Sequence, residues 1–178
     1  MPQTTSNASQ THATARTGPE SGASQGGDQL QLVTFGLGEE EFAVDILSVQ
    51  EINRMMSLTR VPQSPPEVEG VINLRGKIIP VVDLRKRFNL PASDRSEQSR
   101  IVVVEVTGRV IGFIVDRVSE VLRISSKIVE PAPAMVTGAD SDFVAGVGRL
   151  EDRLLILLDL PKLFAKTGLT VGAPALAA

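Results

Sequence analysis

The sequence predicts an all-β protein built as two like lobes of about five strands each, joined through an apolar seam, with two short helices. Three observations carry this. A nineteen-residue pattern occurs twice, Gly70 to Phe88 (GVINLRGKIIPVVDLRKRF) and Gly146 to Phe164 (GVGRLEDRLLILLDLPKLF), 76 residues apart. An earlier match, Val49-Gln50-Glu51-Ile52 with Val118-Ser119-Glu120-Val121, has an offset of 69, and the extra residues fall to a Pro/Gly-containing loop. Elsewhere the apolar runs are short, rich in β-branched residues and broken by turn residues, the spacing of small barrels or sandwiches. Lobes this small bury little alone and must share a seam, and seams between lobes are where small proteins bind.

The elements follow in order. Gln29 to Phe35 alternates as a strand, Gly36 to Glu40 turns, and Glu41 to Val44 returns. Asp45 can cap a helical turn through Ile46 to Ser48, because a carboxylate accepts the free N–H groups of a first turn. Val49 to Arg54 resumes as a strand, and the Pro-rich piece from Val61 to Glu67 is a loop. Val71 to Leu74 and Lys77 to Val82 form a hairpin at Arg75-Gly76, and Asp83 opens a short helix through Phe88. Ala92 to Ser99 is a polar connector, placed near the division between lobes. Arg100 to Val106 is apolar on both faces, hence a strand covered on both sides. Val110 to Val115 returns after Thr107-Gly108-Arg109, Asp116 bends, and Ser119 to Ile124 continues. A looser segment from Ile128 to Asp142 leads to the second copy of the repeat. Residues 1–28 are Ser, Thr, Gln, Ala and Gly, a composition too poor in apolar side chains to offset ordering entropy, so a disordered tail is expected. Residues 29–166 are the folded domain, and 167–178 a frayed end.

Composition excludes several chemistries. There is no Cys, Trp or Tyr, and the single His, His12, lies in the expected tail. Thiolate nucleophiles, disulfides, His-based zinc sites and Ser-His-Asp catalysis are therefore not expected. No catalytic residue, cofactor or metal is expected. A net charge of −3 and six Phe give no electrostatic footprint and few stacking platforms for nucleic acid. No run approaches the apolar length of a membrane helix, and the N-terminus has no secretory pattern, so the default compartment is the cytoplasm.

The runs from Phe35 to Ile52 (FGLGEEEFAVDILSVQEI), Gly70 to Arg85 (GVINLRGKIIPVVDLR) and Pro131-Ala132-Pro133 resemble the CheW family of chemotaxis coupling proteins, over about Leu30 to Phe164. The resemblance implies two five-stranded SH3-like β-barrels and a non-enzymatic adaptor. It implies two partners, the cytoplasmic tip of methyl-accepting chemotaxis receptors and the regulatory domain of a CheA-type histidine kinase, with recruitment to receptor arrays and no direct membrane insertion.

It also assigns receptor contacts to Val49, Glu51, Ile52, Arg75, Val118 and Val121, and kinase contacts to Glu130 and Met135. Each has a plainer reading beside it. Val49 and Glu51 share one face by alternation, so Val49 need not be core; Val118 and Val121 could equally be barrel core. Arg75 could be a solvated turn residue, or a partner of Glu51 that fixes a groove wall. The second copy has Glu151 where the first has Arg75, so the lobes are expected to differ in charge. The family pattern carries Arg before Pro-Ala-Pro and Phe shortly after, where this chain has Glu130 and Met135. That departure leaves open a coupling protein of a non-chemotaxis chemosensory pathway. Asp83 and Asp159 are read as helix caps ahead of a carboxylate pair in a small hydrolase.

Overall fold

Eleven strands are found among the described residues: β1 Gln29–Leu37, β2 Glu40–Asp45, β3 Val49–Arg54, β4 Val68–Leu74, β5 Lys77–Asp83, β6 Arg100–Val106, β7 Arg109–Val115, β8 Arg117–Ser125, β9 Val129–Glu130, β10 Val144–Arg149 and β11 Leu154–Leu158. Helix α1 (Leu84–Arg87) follows β5 and α2 (Leu160–Ala165) follows β11, while single 3-10 turns, Ile46–Ser48 and Ser126–Ile128, precede β3 and β9. The computed structural model describes residues 28–133 and 142–165, with 167 and 169. The expected tail through residue 27 and Met135 lie outside them.

The strands form two sheets, ordered β3-β6-β7-β5-β4 and β8-β1-β2-β11-β10-β9. Each half of the chain lends its first hairpin to the other half's lobe. The β6–β7 hairpin joins β5 through the parallel pairs Val81–Gly112 and Val82–Phe113, and β1–β2 joins β11 through Phe42–Ile156 and Ala43–Leu157. The connector at 92–99 is therefore not the lobe boundary expected from the sequence. An in-lobe and an exchanged hairpin satisfy the same apolar alternation, and only tertiary packing separates them.

Both sheets close. After β3 the chain bends and Thr59 pairs with Val71 through two backbone hydrogen bonds of 2.9 and 2.8 Å, sealing β3 to β4. After β8 the chain bends through the second 3-10 turn, and β9 pairs with β10 at Glu130–Val147 and Val129–Gly148. This two-residue strand is the element missed in the sequence, being too short for any periodicity. The repeat's leading glycines sit at these seals. A Cβ on Gly70, whose φ is 154°, would stand 2.4 Å from the Thr59 carbonyl oxygen, and one on Gly146 would stand 2.7 Å from Val129 Cγ1. Both glycines lie where a β-bulge shifts the register, at 68/70 and 144/146.

The duplication is exact in register. Val49 faces Val104 and Ile52 faces Val102, while Val118 faces Phe35 and Val121 faces Val33. All four correspondences, 49 with 118, 52 with 121, 35 with 104 and 33 with 102, share the offset of 69.

Strand alternation sorts the core into three. Ile72, Ile79, Val81, Ile101, Val103 and Ile114 fill the first barrel. Leu32, Ala43, Ile124, Leu155 and Leu157 fill the second. The intervening residues, among them Val33, Phe35, Val82, Val102, Val104, Phe113 and Leu158, pack between the barrels. All six phenylalanines join this seam as one run of ring contacts, Phe143–Phe88–Phe42–Phe35–Phe113–Phe164, with centroids 4.8, 5.2, 5.9, 5.4 and 6.2 Å apart. The folded part also extends past residue 166: Thr167 is buried and hydrogen-bonded to the Phe164 carbonyl, and Leu169 packs on the seam, its carbonyl held by Arg109. Asp28, assigned to the tail, accepts a backbone hydrogen bond from Ser126.

Gly70→Ala forces a methyl group against a backbone oxygen, which cannot rotate away. A loss of about 1–3 kcal/mol in urea unfolding is expected, with Gly76→Ala, where the added carbon meets no atom, as the control for backbone strain alone.

Candidate functional site

The β4–β5 turn is built to project Arg75. Arg75 and Gly76 both take positive φ, 53° and 82°, the geometry of a two-residue turn that follows strand twist. The Asn73 side chain accepts from the Gly76 N–H at 2.9 Å and locks the turn. Arg75 Nη1 then meets Glu51 Oε2 on β3 at 2.9 Å, the pairing that the family resemblance suggested over a solvated turn residue. Glu51 is only 18% exposed and also accepts from Asn53 Nδ2 at 2.6 Å, whereas Arg75 is 81% exposed. The carboxylate is fixed, and the guanidinium keeps N–H donors facing solvent.

The apolar candidates divide. Val49 is half-buried and packs on the seam core, contrary to the open-face reading. A bulge between Val49 and Glu51 breaks the simple alternation on which that reading rested. Its counterpart Val118 packs on the same core. Ile52 and Val121 are the exposed pair, at 39% and 56%. The structure brings Glu51, Ile52 and Arg75 together. Val118 and Val121 lie on β8, an edge strand of the other sheet. Two further exposed aliphatics, Ile78 and Leu154, are also related by the duplication and were read only as strand residues in the sequence.

Barrel two has an ion pair of its own. Arg153, at the end of the β10–β11 turn, places Nη2 2.6 Å from Glu120 Oε1. The expected loss of positive charge at Glu151 is thus offset by an arginine two residues further along the turn. Glu120 is fixed from its backbone as well, since the buried Thr34 hydroxyl donates to its carbonyl at 3.1 Å and accepts from its N–H at 3.2 Å.

Glu130 is exposed, 3.3 Å from Arg149, and rims an apolar groove of about 350 Å³ lined by Pro131, Pro133, Val144, Val147, Leu154 and Ile156. Asp83 and Asp159 are the helix caps anticipated, accepting from Arg85 N at 2.9 Å and Lys162 N at 3.1 Å. Among the described residues no group of three or more acidic or imidazole side chains could hold a metal, and no helix is long and apolar enough to cross a membrane.

One charged clasp spans the lobes. Arg85, leading α1 out of barrel one, holds Asp116 through Nε and Nη2 at 2.8 and 2.5 Å. Asp116 lies where the chain crosses from β7 to β8, and also accepts from the Gly38 N–H in the β1–β2 turn at 2.7 Å. The Arg85 hydrogen bonds hold the Asp116 carboxyl below its ordinary range; burial opposes them, and the Gly38 N–H adds to them.

Two duplicated barrels fused through one aromatic seam, each with an ion-paired carboxylate followed by an exposed aliphatic residue, define a double-barrel scaffold with no metal-holding cluster among its described residues. Residues 31–168 match the family model described as CheW-like domain, and the chain belongs to that family. It is 38% identical over 135 residues to the chemotaxis protein CheW of Klebsiella aerogenes, covering 76% of this chain and 81% of that one. It is 36% identical over 137 residues to a probable chemotaxis protein CheW of Rhizobium etli, covering 77% and 88%. The crystal structure of the scaffolding protein TtCheW from Thermoanaerobacter tengcongensis superposes with a TM-score of 0.72 at 43% identity, covering 76% of this chain and 92% of that one.

A depressed carboxylate pKa gives stability that is complete above the unfolded value and lost as pH falls through the folded one. For Asp116 that window begins below 3.8. Asp116→Asn should lower the urea midpoint at about pH 6, with the difference from wild type shrinking as the pH falls below the ordinary carboxylate range. A pH-independent difference would remove the clasp from the acid response.

Proposed function

We propose that this protein is a non-enzymatic adaptor that couples methyl-accepting chemotaxis receptors to a CheA-type histidine kinase. The observation that carries the reading is the Glu51–Arg75 pair beside exposed Ile52, on a scaffold of the CheW-like family. A helical receptor hairpin would place one aliphatic side chain on Ile52 and an acceptor on the free N–H groups of Arg75. The kinase regulatory domain would take the groove beside Glu130, whose apolar lining suits a packed, desolvated contact. Met135 belongs to the same proposed contact. The protein would act from the cytoplasm, recruited to receptor arrays through these partners. An adaptor of this kind shifts kinase activity only by binding its states unequally.

A second reading keeps the scaffold and changes the pathway. Glu40 and Glu130 rim the proposed kinase groove with Arg149 as the one cation beside them, so the partner there must accept a rim of net negative charge. A kinase of a motility or developmental chemosensory system would satisfy this equally.

The purified chain should join a ternary complex with a receptor-hairpin fragment and a kinase regulatory domain. Arg75→Glu and Ile52→Lys should each cut receptor capture about tenfold while sparing kinase capture, because a reversed charge, or a new one at an apolar contact, is left unpaired when the face is covered. Undiminished capture by both variants would remove this face from the site. Failure of the wild-type chain to capture either partner would end the adaptor reading.

A further inference from the structure

Glu120 and Arg153 repeat on the second barrel the arrangement that Glu51 and Arg75 make on the first. Glu120 follows Glu51 by 69 residues, the offset that also relates Val121 to Ile52 and is fixed by strand register. Arg153 leaves the β10–β11 turn as Arg75 leaves the β4–β5 turn. The separations are alike, 2.6 Å against 2.9 Å. In both barrels the residue directly after the paired glutamate is an exposed aliphatic, on a strand whose pairing is interrupted by a bulge.

Stability does not account for the aliphatic half of this recurrence, because a side chain left in water forgoes the gain of burial. A braced carboxylate followed by an apolar side chain kept in water, present on both barrels, has the properties of a recognition surface.

The two arginines differ in what they can offer. Arg153 touches three carboxylates: Glu120, Glu41 on β2, with Nε 2.8 Å from Oε2 but outside hydrogen-bond geometry, and Asp152 at 3.7 Å. It is 35% exposed, less than half the exposure of Arg75. Arg75 can both brace Glu51 and present N–H groups outward. Arg153 is occupied by its own chain and ties β2, β8 and the β10–β11 turn to one point.

Resting on the adaptor reading above, we propose that Glu120 and Arg153 are positioning residues for receptor binding. They hold β8 so that Val121 meets the receptor hairpin, as Glu51 and Arg75 hold β3 so that Ile52 meets it.

The test uses the full chain, a soluble receptor-hairpin fragment and the kinase regulatory domain, with affinity for each partner and the urea midpoint as readouts. Glu120→Gln and Arg153→Gln should each weaken hairpin binding about tenfold, the double variant no more than either single one, as for residues acting as a unit. Kinase affinity and the urea midpoint should stay at wild-type values, and Arg153→Lys should recover most of the hairpin affinity. Val121→Lys, a surface change that leaves the pair intact, should lose hairpin binding as Ile52→Lys does. Parallel loss of both partners together with the midpoint would show a merely structural pair and overturn the proposal. Wild-type hairpin binding by Glu120→Gln, Arg153→Gln and Val121→Lys, alongside loss by Ile52→Lys, would overturn it while leaving the adaptor reading in place. No hairpin binding by the wild-type chain would instead defeat the adaptor reading, and this proposal with it.

Discussion

The contact between the barrels is the constraint on which the rest depends. Neither barrel has more than a handful of fully buried side chains in its own interior, whereas the seam takes residues from β1, β2, β4 to β7, β11 and both helices. Every phenylalanine of the chain is spent there. Aromatic rings bring large buried area in few rotatable bonds, and their edge and face preferences fix relative orientation more tightly than aliphatic packing does. The seam therefore sets the angle between the two barrels and the faces they carry, which no contact within one barrel could do.

Symmetry is kept in the backbone and broken in the side chains. The chain crosses between lobes twice, once from β2 to β3 and once from β7 to β8. The second crossing is gripped by Arg85 through Asp116, with Arg117 adding a hydrogen bond to the Gly38 carbonyl at 3.1 Å. The first has Leu47, 90% exposed, on a 3-10 turn capped only by its own Asp45. Where the repeat has Arg85, its second copy has Pro161, which has no charge with which to build an equivalent clasp. One crossing is gripped by a charged clasp from a neighbouring element, and the other is held by Ile46 packed on the seam core. The same divergence separates an outward-facing Arg75 from a self-occupied Arg153.

Much of this was legible in the chain, and the exceptions have particular causes. Arg100 to Val106 is apolar on both sides because alternate residues enter the barrel and the seam, so a strand covered on both faces was the right expectation. The Asn73-Leu74-Arg75-Gly76 turn and the caps at Asp45, Asp83 and Asp159 rest on local hydrogen bonds and could be read locally. The hairpin exchange could not, because β1–β2 and β6–β7 carry interchangeable patterns. Val49 was misjudged because one extra residue in a bulge shifts what lies outward. Arg153 escapes a position-by-position comparison, which pairs Arg75 with Glu151, because the contact has moved to the residue that closes a turn of the same length. The identical glutamates at 51 and 120 were the available signal.

The parallel junction of β2 with β11 carries a consequence for synthesis. Phe42 and Ala43 find their partners in Ile156 and Leu157, far along the sequence. Until that segment leaves the ribosome, the β2 side of the first hairpin stands as a bare edge. Closure over so long a span comes late and slowly. A premature stop before β11 would leave that edge open for good, a ready template for pairing with another chain.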